Sequence, residues 1–313
     1  MQLFIVDAFA DEMFGGNPAG VVIIPQGEDF PKEETMIKTA AELRYSETAF
    51  VKILDENQFN IRYFTPVAEV DLCGHATIAS FRALLHTGII TDGSYINHSL
   101  AGDLNIDVNN GFIYMDMAQP ELIRLISNDE ELNRLYRIMG LDYQSQRSKG
   151  LNLIPQIVST GLADIMMPVE SVDDLDTISP DFPQLSDLSK DYDVTGVHAF
   201  ALGKDGSCHV RNFAPLFGID EESATGTSNG ALTCYFFINE LLGSESDCKF
   251  VQGEKMGRPS VIISRLKADV LDKSVSDSIK AKDCSKLQLP AKIPCSIQVG
   301  GGGVIVAQGE IEL

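Results

Sequence analysis

The sequence predicts an α+β protein built from two copies of one strand-rich unit. The chain has 313 residues, which is enough for two domains of about 150 residues. Two stretches about half the chain apart match each other, and each is followed by a glycine turn and a helix. This repeated order of elements predicts two matched halves, each with one main buried helix.

The two matching stretches run from Thr48 to Pro66 and from His198 to Pro215. Each has the alternating pattern of a strand pair joined by a polar turn, which covers residues 55–57 in the first half and 203–206 in the second. The ordered matches are Ala49-Phe50 with Ala199-Phe200 at an offset of 150 residues, then Arg62 with Arg211, Phe64 with Phe213 and Pro66 with Pro215 at an offset of 149.

A helix follows each stretch. The first is predicted after Cys73-Gly74-His75 and ends at Gly88, and the second follows Thr225-Gly226-Thr227 and ends at Gly243. Both show apolar residues at helical spacing, and glycine is the usual residue just past a helix end. A further helix is predicted over Glu33–Leu43, and residues 299–310 are predicted to form a turn and then a strand.

The charge excludes two classes of partner. The chain has 45 acidic and 24 basic residues, which gives a net charge of −21. Nucleic-acid binding depends on lysine and arginine neutralising phosphates, so this balance argues against it. It argues equally against binding to an anionic membrane surface.

The sequence has the features of a cytoplasmic protein without a bound metal. No apolar stretch approaches the length of about 18–20 residues that spans a bilayer, and the acidic beginning does not resemble a signal peptide. The cysteines form no CxxC pair, which predicts reduced thiols rather than a disulfide framework or a zinc site. They are Cys73, Cys208, Cys234, Cys248, Cys284 and Cys295.

The two glycine turns are candidates for binding a carboxylate. The N-terminus of a helix offers unpaired backbone N–H groups and roughly half a positive charge. If the helix starts at Gly74 and Gly226 converge on one cleft, backbone amides hold a small anion even in a strongly acidic protein. The alternative is that both glycines only form tight turns.

Glu47 is the candidate proton carrier. It lies where a helix gives way to a strand, and its repeat counterpart at an offset of 150 is Val197. Only one half therefore has a carboxyl group there. A partly buried carboxyl has a raised pKa and exchanges protons near neutrality. The alternative is a solvated glutamate at the start of a strand.

Other polar side chains lie at the two helix starts. The helix dipole favours a neutral imidazole at His75 and a lowered thiol pKa at Cys73, so Cys73 is a second candidate nucleophile or base. Its counterpart is Thr225, which is not a thiol. Glu221 and Glu222 precede the second helix, either as ordinary acids near a helix start or with one of them in the site.

These segments resemble the PhzF-type isomerases, the phenazine-biosynthesis-like branch of the diaminopimelate epimerase fold. The likeness extends along nearly the whole chain and rests on several ordered motifs. These are Asp7-Ala-Phe-Ala, Gly16-Asn17-Pro18-Ala19, Ser46-Glu47-Thr48-Ala49-Phe50, Phe64-Thr65-Pro66, Leu72-Cys73-Gly74-His75-Ala76-Thr77, Gly218-Ile219-Asp220-Glu221-Glu222, Thr225-Gly226-Thr227, Gln252-Gly253-Glu-Lys-Met256-Gly257-Arg258-Pro259 and residues 300–313.

The resemblance implies two pseudo-symmetric lobes, each a curled, mostly antiparallel sheet around a central helix. One lobe comprises residues 1–118 and 300–313, the other residues 119–299, and the active site lies in the cleft between them. The resemblance further implies a cofactor-independent isomerase that acts on a small carboxylate, contains no metal and forms a homodimer.

The resemblance also assigns roles to residues. Glu47 is the single general acid/base, moving a proton from one carbon to another, and His75 and Glu222 assist and orient. Ser46, Gly74, Gly226 and Thr227 bind the substrate.

This sequence departs from the family at the second turn. The family has Asp-Pro where this chain has Glu222-Ser223, and Thr227 replaces a serine. Glutamate is longer than aspartate by one methylene, so the carboxylate of Glu222 reaches further from the backbone. Two alternatives stay open: an epimerase or racemase that uses Cys73, and a non-catalytic binding protein on the same fold, because fold does not determine function.

Overall fold

The computed structural model describes residues 1–204, 206–283 and 287–313. Asp205 in the second predicted turn and Cys284, one of the predicted reduced thiols, lie outside the described residues. The chain forms two compact units. Unit 1 comprises Met1–Asp116, Met256–Val261 and Gly300–Leu313, and unit 2 comprises Met117–Lys255 and Ile262–Val299.

The described part of the chain alternates strands with helices. The strands are β1 (Gln2–Ala8), β2 (Asn17–Ile23), β3 (Thr48–Ile53), β4 (Gln58–Phe64), β5 (Glu69–Val70), β6 (Gly93–Ser99), β7 (Gly102–Asn109), β8 (Phe112–Asp116), β9 (Glu121–Leu125), β10 (Gln156–Ser159), β11 (Ala163–Pro168), β12 (Gly196–Leu202), β13 (Cys208–Ala214), β14 (Ile219–Glu222), β15 (Glu245–Gln252), β16 (Ser260–Ala268), β17 (Ala291–Lys292), β18 (Cys295–Gly301) and β19 (Gly303–Glu310). The helices are α1 (Glu33–Leu43), α2 (Gly74–His86), α3 (Asp129–Ile138), α4 (Tyr143–Lys149), α5 (Val172–Asp176), α6 (Phe182–Tyr192), α7 (Gly226–Ile238) and α8 (Lys273–Ala281).

The sheet of unit 1 is mostly antiparallel. β19 pairs with β1, β1 with β2, β3 with β4, β6 with β7 and β7 with β8, all antiparallel. The pairs β2–β3 and β4–β6 are parallel, and the short β5 adds to β4. A parallel neighbour needs a crossover connection. Helix α1 makes the crossover between β2 and β3, and helix α2 makes the one between β4 and β6.

The sheet of unit 2 has the same local order. β11 and β12 are parallel, β12 and β13 antiparallel, and β13 and β15 parallel, with the short β14 beside β13. β9 and β10 extend it on the β11 side. Helix α7 makes the crossover between β13 and β15, as α2 does between β4 and β6. The predicted α+β class is therefore confirmed.

Each unit buries one helix of thirteen residues. Nine residues of α2 are buried, and it packs on β1, β2 and β3. In α7 twelve residues are buried, and it packs on β10 and β11. A helix that is apolar on nearly every face is stable only when it is enclosed by other elements.

The two helices end differently. Helix α2 ends at His86, and Gly88 follows with a φ of +73°, close to the predicted end. Helix α7 ends at Ile238, so the prediction that it reaches Gly243 is wrong. Glu240 takes the left-handed conformation, with a φ of +58°, and the N–H of Leu241 donates to the carbonyl of Phe236. The chain therefore closes the helix before a glycine is available.

The register of the two hairpins corrects one assignment from the sequence. Ile53 pairs with Phe59 and Leu202 pairs with Cys208, so both strands of the two hairpins correspond at an offset of 149. The Ala-Phe matches at an offset of 150 are therefore one residue out of structural register. The structural counterpart of Glu47 is Gly196, and not Val197.

No helix among residues 1–204, 206–283 and 287–313 is long and apolar enough to cross a membrane.

Gly196 provides a test of this register. A Cβ atom there lies 1.9 Å from the carbonyl oxygen of Phe213 on the paired strand, and backbone cannot yield without separating the strands. We expect Gly196→Ala to lower the free energy of unfolding by about 3 kcal/mol. Gly243→Ala is the matched control, because only Ser246 Oγ lies near, at 3.7 Å, and its effect stays within about 0.5 kcal/mol. Urea unfolding compares the two, and equal stabilities contradict the assigned register.

Candidate functional site

The segment that carries Glu47 is held by its backbone. Helix α1 ends at Leu43, Arg44 follows in the left-handed conformation with a φ of +63°, and the chain then turns through Ser46 and Glu47 into β3. The carbonyl of Glu47 accepts a hydrogen bond from the N–H of Gly20 at 3.2 Å. The side chain of Glu47 is 18% exposed, so the carboxylate is largely shielded from water and its direction is set by the sheet.

Cys73, Gly74 and His75 form the start of helix α2. Cys73 has an extended backbone, and its side chain makes no capping hydrogen bond to the first turn. The side chain of His75 is only 6% exposed. The helix start therefore combines N–H groups that the N-cap side chain leaves uncapped with a buried imidazole.

Four polar side chains surround the His75 ring. Nε2 lies 3.1 Å from Glu47 Oε2 and 3.4 Å from Ser46 Oγ. Nδ1 lies 3.2 Å from Asn17 Nδ2 and 3.4 Å from Cys73 Sγ. Glu47 Oε2 is buried but accepts no well-aligned hydrogen bond. This oxygen and the ring therefore form a close ionic contact rather than an aligned hydrogen bond.

Glu47 and His75 are the charged pair of this cluster. Burial raises the pKa of Glu47, but contacts with His75, Ser46 and Cys73 outweigh burial, and the pKa lies below its ordinary value. Burial lowers the pKa of His75, but Cys73 and Glu47 outweigh it, and the pKa lies well above its ordinary value. Both shifts favour the charged forms, a carboxylate at Glu47 and an imidazolium at His75.

Three expectations about protonation are thereby wrong. The sequence predicted a raised pKa for Glu47, a neutral His75 and a lowered thiol pKa for Cys73. Burial instead raises the pKa of the Cys73 thiol, even with His75 beside it. The helix dipole falls off within one turn and is worth about 1 kcal/mol. An opposite charge at contact distance outweighs it in a buried position.

Glu222 lies at the start of the main helix of unit 2. Thr225 Oγ1 donates a hydrogen bond to Glu222 Oε2 at 2.7 Å, and Gly226 and Thr227 open helix α7. Glu221 instead forms a bidentate ion pair with Arg211, with 2.8 Å between each carboxylate oxygen and its guanidinium nitrogen. Of the two candidate acids, Glu222 is the one beside the helix start.

The amide of Gln252 organises this helix start. Its oxygen accepts from the N–H of Thr225 at 3.1 Å and from Asn229 Nδ2 at 3.0 Å. Its nitrogen donates to the carbonyl of Glu222 at 2.8 Å and to Thr225 Oγ1 at 3.0 Å. Gln252 is fully buried. It therefore fixes the backbone of Glu222 and the hydroxyl that contacts the Glu222 carboxylate.

The same network continues into the interior of unit 2. Asn229 Oδ1 contacts His198 Nε2 at 3.3 Å, and His198 Nδ1 contacts Asn212 Nδ2 at 3.1 Å. Asn212 reaches Ser228, which hydrogen-bonds to Asp164 at 2.5 Å. Burial lowers the pKa of His198 to about 4 and raises the pKa of Asp164. Unit 2 thus buries an uncharged histidine on β12, whereas the buried histidine of unit 1 lies at the start of α2 and favours the charged form.

The structure brings the predicted residues into two groups. Ser46, Glu47, Gly74 and His75 form one cluster in unit 1 together with Cys73, and Glu222, Gly226 and Thr227 share one helix start in unit 2. Asn17 and Gln252 occur in motifs recognised in the sequence, but no role in the site was predicted for either residue. The order of motifs along the chain gives no information about which side chain a buried amide contacts.

The Glu47–His75 pair predicts a pH-dependent stability. A raised histidine pKa stabilises the folded state below about pH 6.5, and this contribution is lost as pH rises through the raised value. A lowered glutamate pKa stabilises above about pH 4.5 and is lost on acidification. We expect His75→Asn to cost about 3 kcal/mol between these limits and less towards alkaline pH. Denaturant unfolding at several pH values measures this, and a constant difference contradicts the pair.

Gln252 predicts a second stability effect. Gln252→Leu keeps the volume but leaves the N–H of Thr225 and the amide of Asn229 without this partner. Each buried orphan costs about 1–3 kcal/mol, so we expect a loss of about 3 kcal/mol in the free energy of unfolding. Gln144→Leu, at an exposed position of α4, is the control and changes stability little. Equal effects of the two substitutions contradict the role of Gln252.

Solved structures share this fold. A phenazine biosynthesis protein of the PhzF family from Bacillus anthracis superposes with a TM-score of 0.80 at 24% identity, covering 100% of this chain and 99% of that one. A probable proline racemase from Agrobacterium radiobacter superposes with a TM-score of 0.61 at 13% identity, covering 100% of this chain and 93% of that one. The fold is therefore that of the diaminopimelate epimerase type, which PhzF proteins and proline racemases share.

Proteins with similar sequences identify the family. An uncharacterized isomerase of Clostridium acetobutylicum is 30% identical over 324 residues, covering 100% of this chain and 98% of the relative. An uncharacterized isomerase of Deinococcus radiodurans is 33% identical over 264 residues, covering 82% of this chain and 84% of the relative. Residues 6–281 match the family described as phenazine biosynthesis-like protein, PhzC-PhzF. The chain belongs to this phenazine biosynthesis-like family of isomerases.

Proposed function

We propose that this isomerase moves a proton between two carbons of a small carboxylate substrate without a cofactor, and that Glu47 is its single general acid/base. The observation that supports this most directly is the state of the Glu47 carboxylate. It is charged, largely buried, and has one oxygen that accepts no well-aligned hydrogen bond. An oxygen of this kind is ready to accept a proton from a substrate carbon.

The proton transfer balances within the substrate. A C–H bond breaks as Glu47 Oε2 takes the proton, and the electron pair is delocalised towards an adjacent unsaturated group. The same carboxyl then returns its proton to a different carbon, which restores the carboxylate. His75 supplies a positive charge 3.1 Å from this oxygen, which orients the carboxylate and keeps it ionised between transfers.

The start of helix α2 supports binding of a carboxylate close to this base. The Cys73 side chain does not cap the first turn, and Met115 Cε fills the space beside Gly74 that a Cβ atom would need, at 2.8 Å. Backbone N–H groups and the helix dipole favour an anion at such a position. Ser46 Oγ, 3.4 Å from His75 Nε2, is a further donor for a substrate oxygen.

Glu222, Gly226 and Thr227 are proposed to contribute from unit 2. Thr225 Oγ1 donates to Glu222 rather than to its own helix, so its side chain leaves the first turn of α7 uncapped. The N–H groups of this helix start favour an anion, and the Glu222 carboxylate already lies beside them. Glu222 stands where the family has aspartate, and its hydrogen bond to Thr225 holds the longer side chain.

A cysteine-dependent epimerase is the weaker candidate. Cys73 lies 3.4 Å from the His75 ring, but burial raises its thiol pKa, which disfavours a thiolate base. The corresponding position in unit 2 is Thr225.

We also propose a cytoplasmic homodimer. Cys73, Cys208, Cys234, Cys248 and Cys295 are free thiols, which supports a reducing compartment. The homodimer rests on the family resemblance.

Solvent deuterium exchange tests the role of Glu47. The chain is incubated in deuterated water with a mixed pool of small carboxylates, and mass spectrometry follows label uptake into any one of them. We expect Glu47→Gln to slow uptake by about 10²–10⁴-fold. Glu42→Gln, at an exposed position of α1, is the matched control and leaves the rate unchanged.

The variants separate the candidate functions. If Cys73→Ala abolishes uptake while Glu47→Gln retains it, the thiol is the base and the proposal is wrong. If the wild type labels no compound that it binds, the chain is a binding protein.

A further inference from the structure

Three different metal-binding atoms meet beside His75. The carboxylate of Glu47, the sulfur of Cys73 and a ring nitrogen of His75 lie within 4.8 Å of one another. The separations are 3.1 Å between His75 Nε2 and Glu47 Oε2 and 3.8 Å between His75 Nε2 and Cys73 Sγ. Oxygen, nitrogen and sulfur donors in one set are typical of zinc sites.

The nitrogen and oxygen donors are spaced as on one tetrahedral ion. A Zn²⁺ ion with a Zn–S bond of about 2.3 Å and Zn–N and Zn–O bonds of about 2.0 Å holds sulfur and nitrogen about 3.5 Å apart and nitrogen and oxygen about 3.3 Å apart. The separation of 3.1 Å between Nε2 and Oε2 is close to the second value. Sγ lies 3.8 Å from Nε2 but 3.4 Å from Nδ1, so the thiol lies beside the ring. A shared ion on Nε2 therefore requires rotation of the Cys73 side chain towards Glu47. Three protein ligands leave the fourth position to water.

A second observation points to a ligand at this place. Glu47 Oε2 is a buried oxygen without a well-aligned hydrogen bond, and buried polar atoms normally have one. The ligand atoms are also held in place: Cys73 and His75 flank the first residue of α2, and the Glu47 backbone is bonded to Gly20. Binding an ion therefore needs movement of the Cys73 side chain and not of the backbone.

We propose that Glu47, Cys73 and His75 bind a thiophilic divalent cation, with Zn²⁺ the best match, and that the bound ion inhibits the isomerase. The inhibition, though not the binding, rests on the proposed function, because the ion occupies the oxygen that otherwise takes the substrate proton. Binding releases the thiol proton of Cys73 and the Nε2 proton of the imidazolium. Asn17, 3.2 Å from Nδ1, can present its amide oxygen to the remaining Nδ1–H.

The binding test uses metal ions alone. Purified protein is titrated with Co²⁺, which reports a cysteine ligand through a thiolate-to-metal charge-transfer absorption, and Zn²⁺ is then added to displace it. We expect the absorption in the wild type, its loss in Cys73→Ser, and at least about tenfold weaker Zn²⁺ binding in Cys73→Ser and Glu47→Gln. Cys248→Ser is the matched control, since this thiol is in unit 2, and it keeps the wild-type spectrum. Thermal unfolding confirms that each variant is folded.

The outcomes separate the site from the function. A wild-type protein without the absorption, or Zn²⁺ binding that Cys73→Ser leaves unchanged, overturns the site, whatever the exchange assay shows. Stoichiometric Zn²⁺ binding that leaves deuterium uptake unaffected overturns the inhibition and also the role of Glu47. Zn²⁺ binding that stops uptake in the wild type and is relieved by a chelator supports both.

Discussion

Burial of one helix in each unit is the constraint on which the rest of the structure depends. Helices α2 and α7 are enclosed on nearly every face, so their first turns carry polar groups into surroundings with little water. Such groups are costly unless they find partners. The polar side chains at the two helix starts find such partners among the site residues: His75 contacts Glu47, and Thr225 contacts Glu222 and Gln252.

The two units satisfy this constraint with different chemistry. At the start of α2 the partners are ionisable: a carboxylate and an imidazolium 3.1 Å apart, with a thiol beside the ring. At the start of α7 they are mainly amides and hydroxyls around Gln252, and the buried His198 stays neutral. A carboxylate and an imidazolium can accept and donate protons, whereas the amides cannot. The general acid/base proposed for the isomerase is therefore in unit 1, and Glu222 is the proposed contribution of a carboxylate from unit 2.

The repeat also shows where motif matching reaches its limit. The strand pairs, the glycine turns and the helices α1 and α2 were predicted from residue patterns, because each depends on local periodicity and on glycine. The counterpart of Glu47 was predicted one residue out of register, because an Ala-Phe pair can match by chance while hairpin pairing cannot slip by one residue without turning every side chain over. The end of α7 was missed because Glu240 adopts a left-handed conformation that is usually found in glycine.

The sequence by itself determined the α+β class, the two-fold repeat, the family and the identity of Glu47, His75 and Glu222 as the residues to test. Those inferences depend on spacing and on side-chain type, which a sequence contains in full. Only the tertiary structure decided which groups are charged. The pKa of a buried side chain depends on neighbours brought from distant parts of the chain: Asn17, Glu47 and Cys73 around His75, and Gln252 beside Glu222. Contact distance and burial together outweigh the local helix dipole, and neither can be read from spacing along the chain.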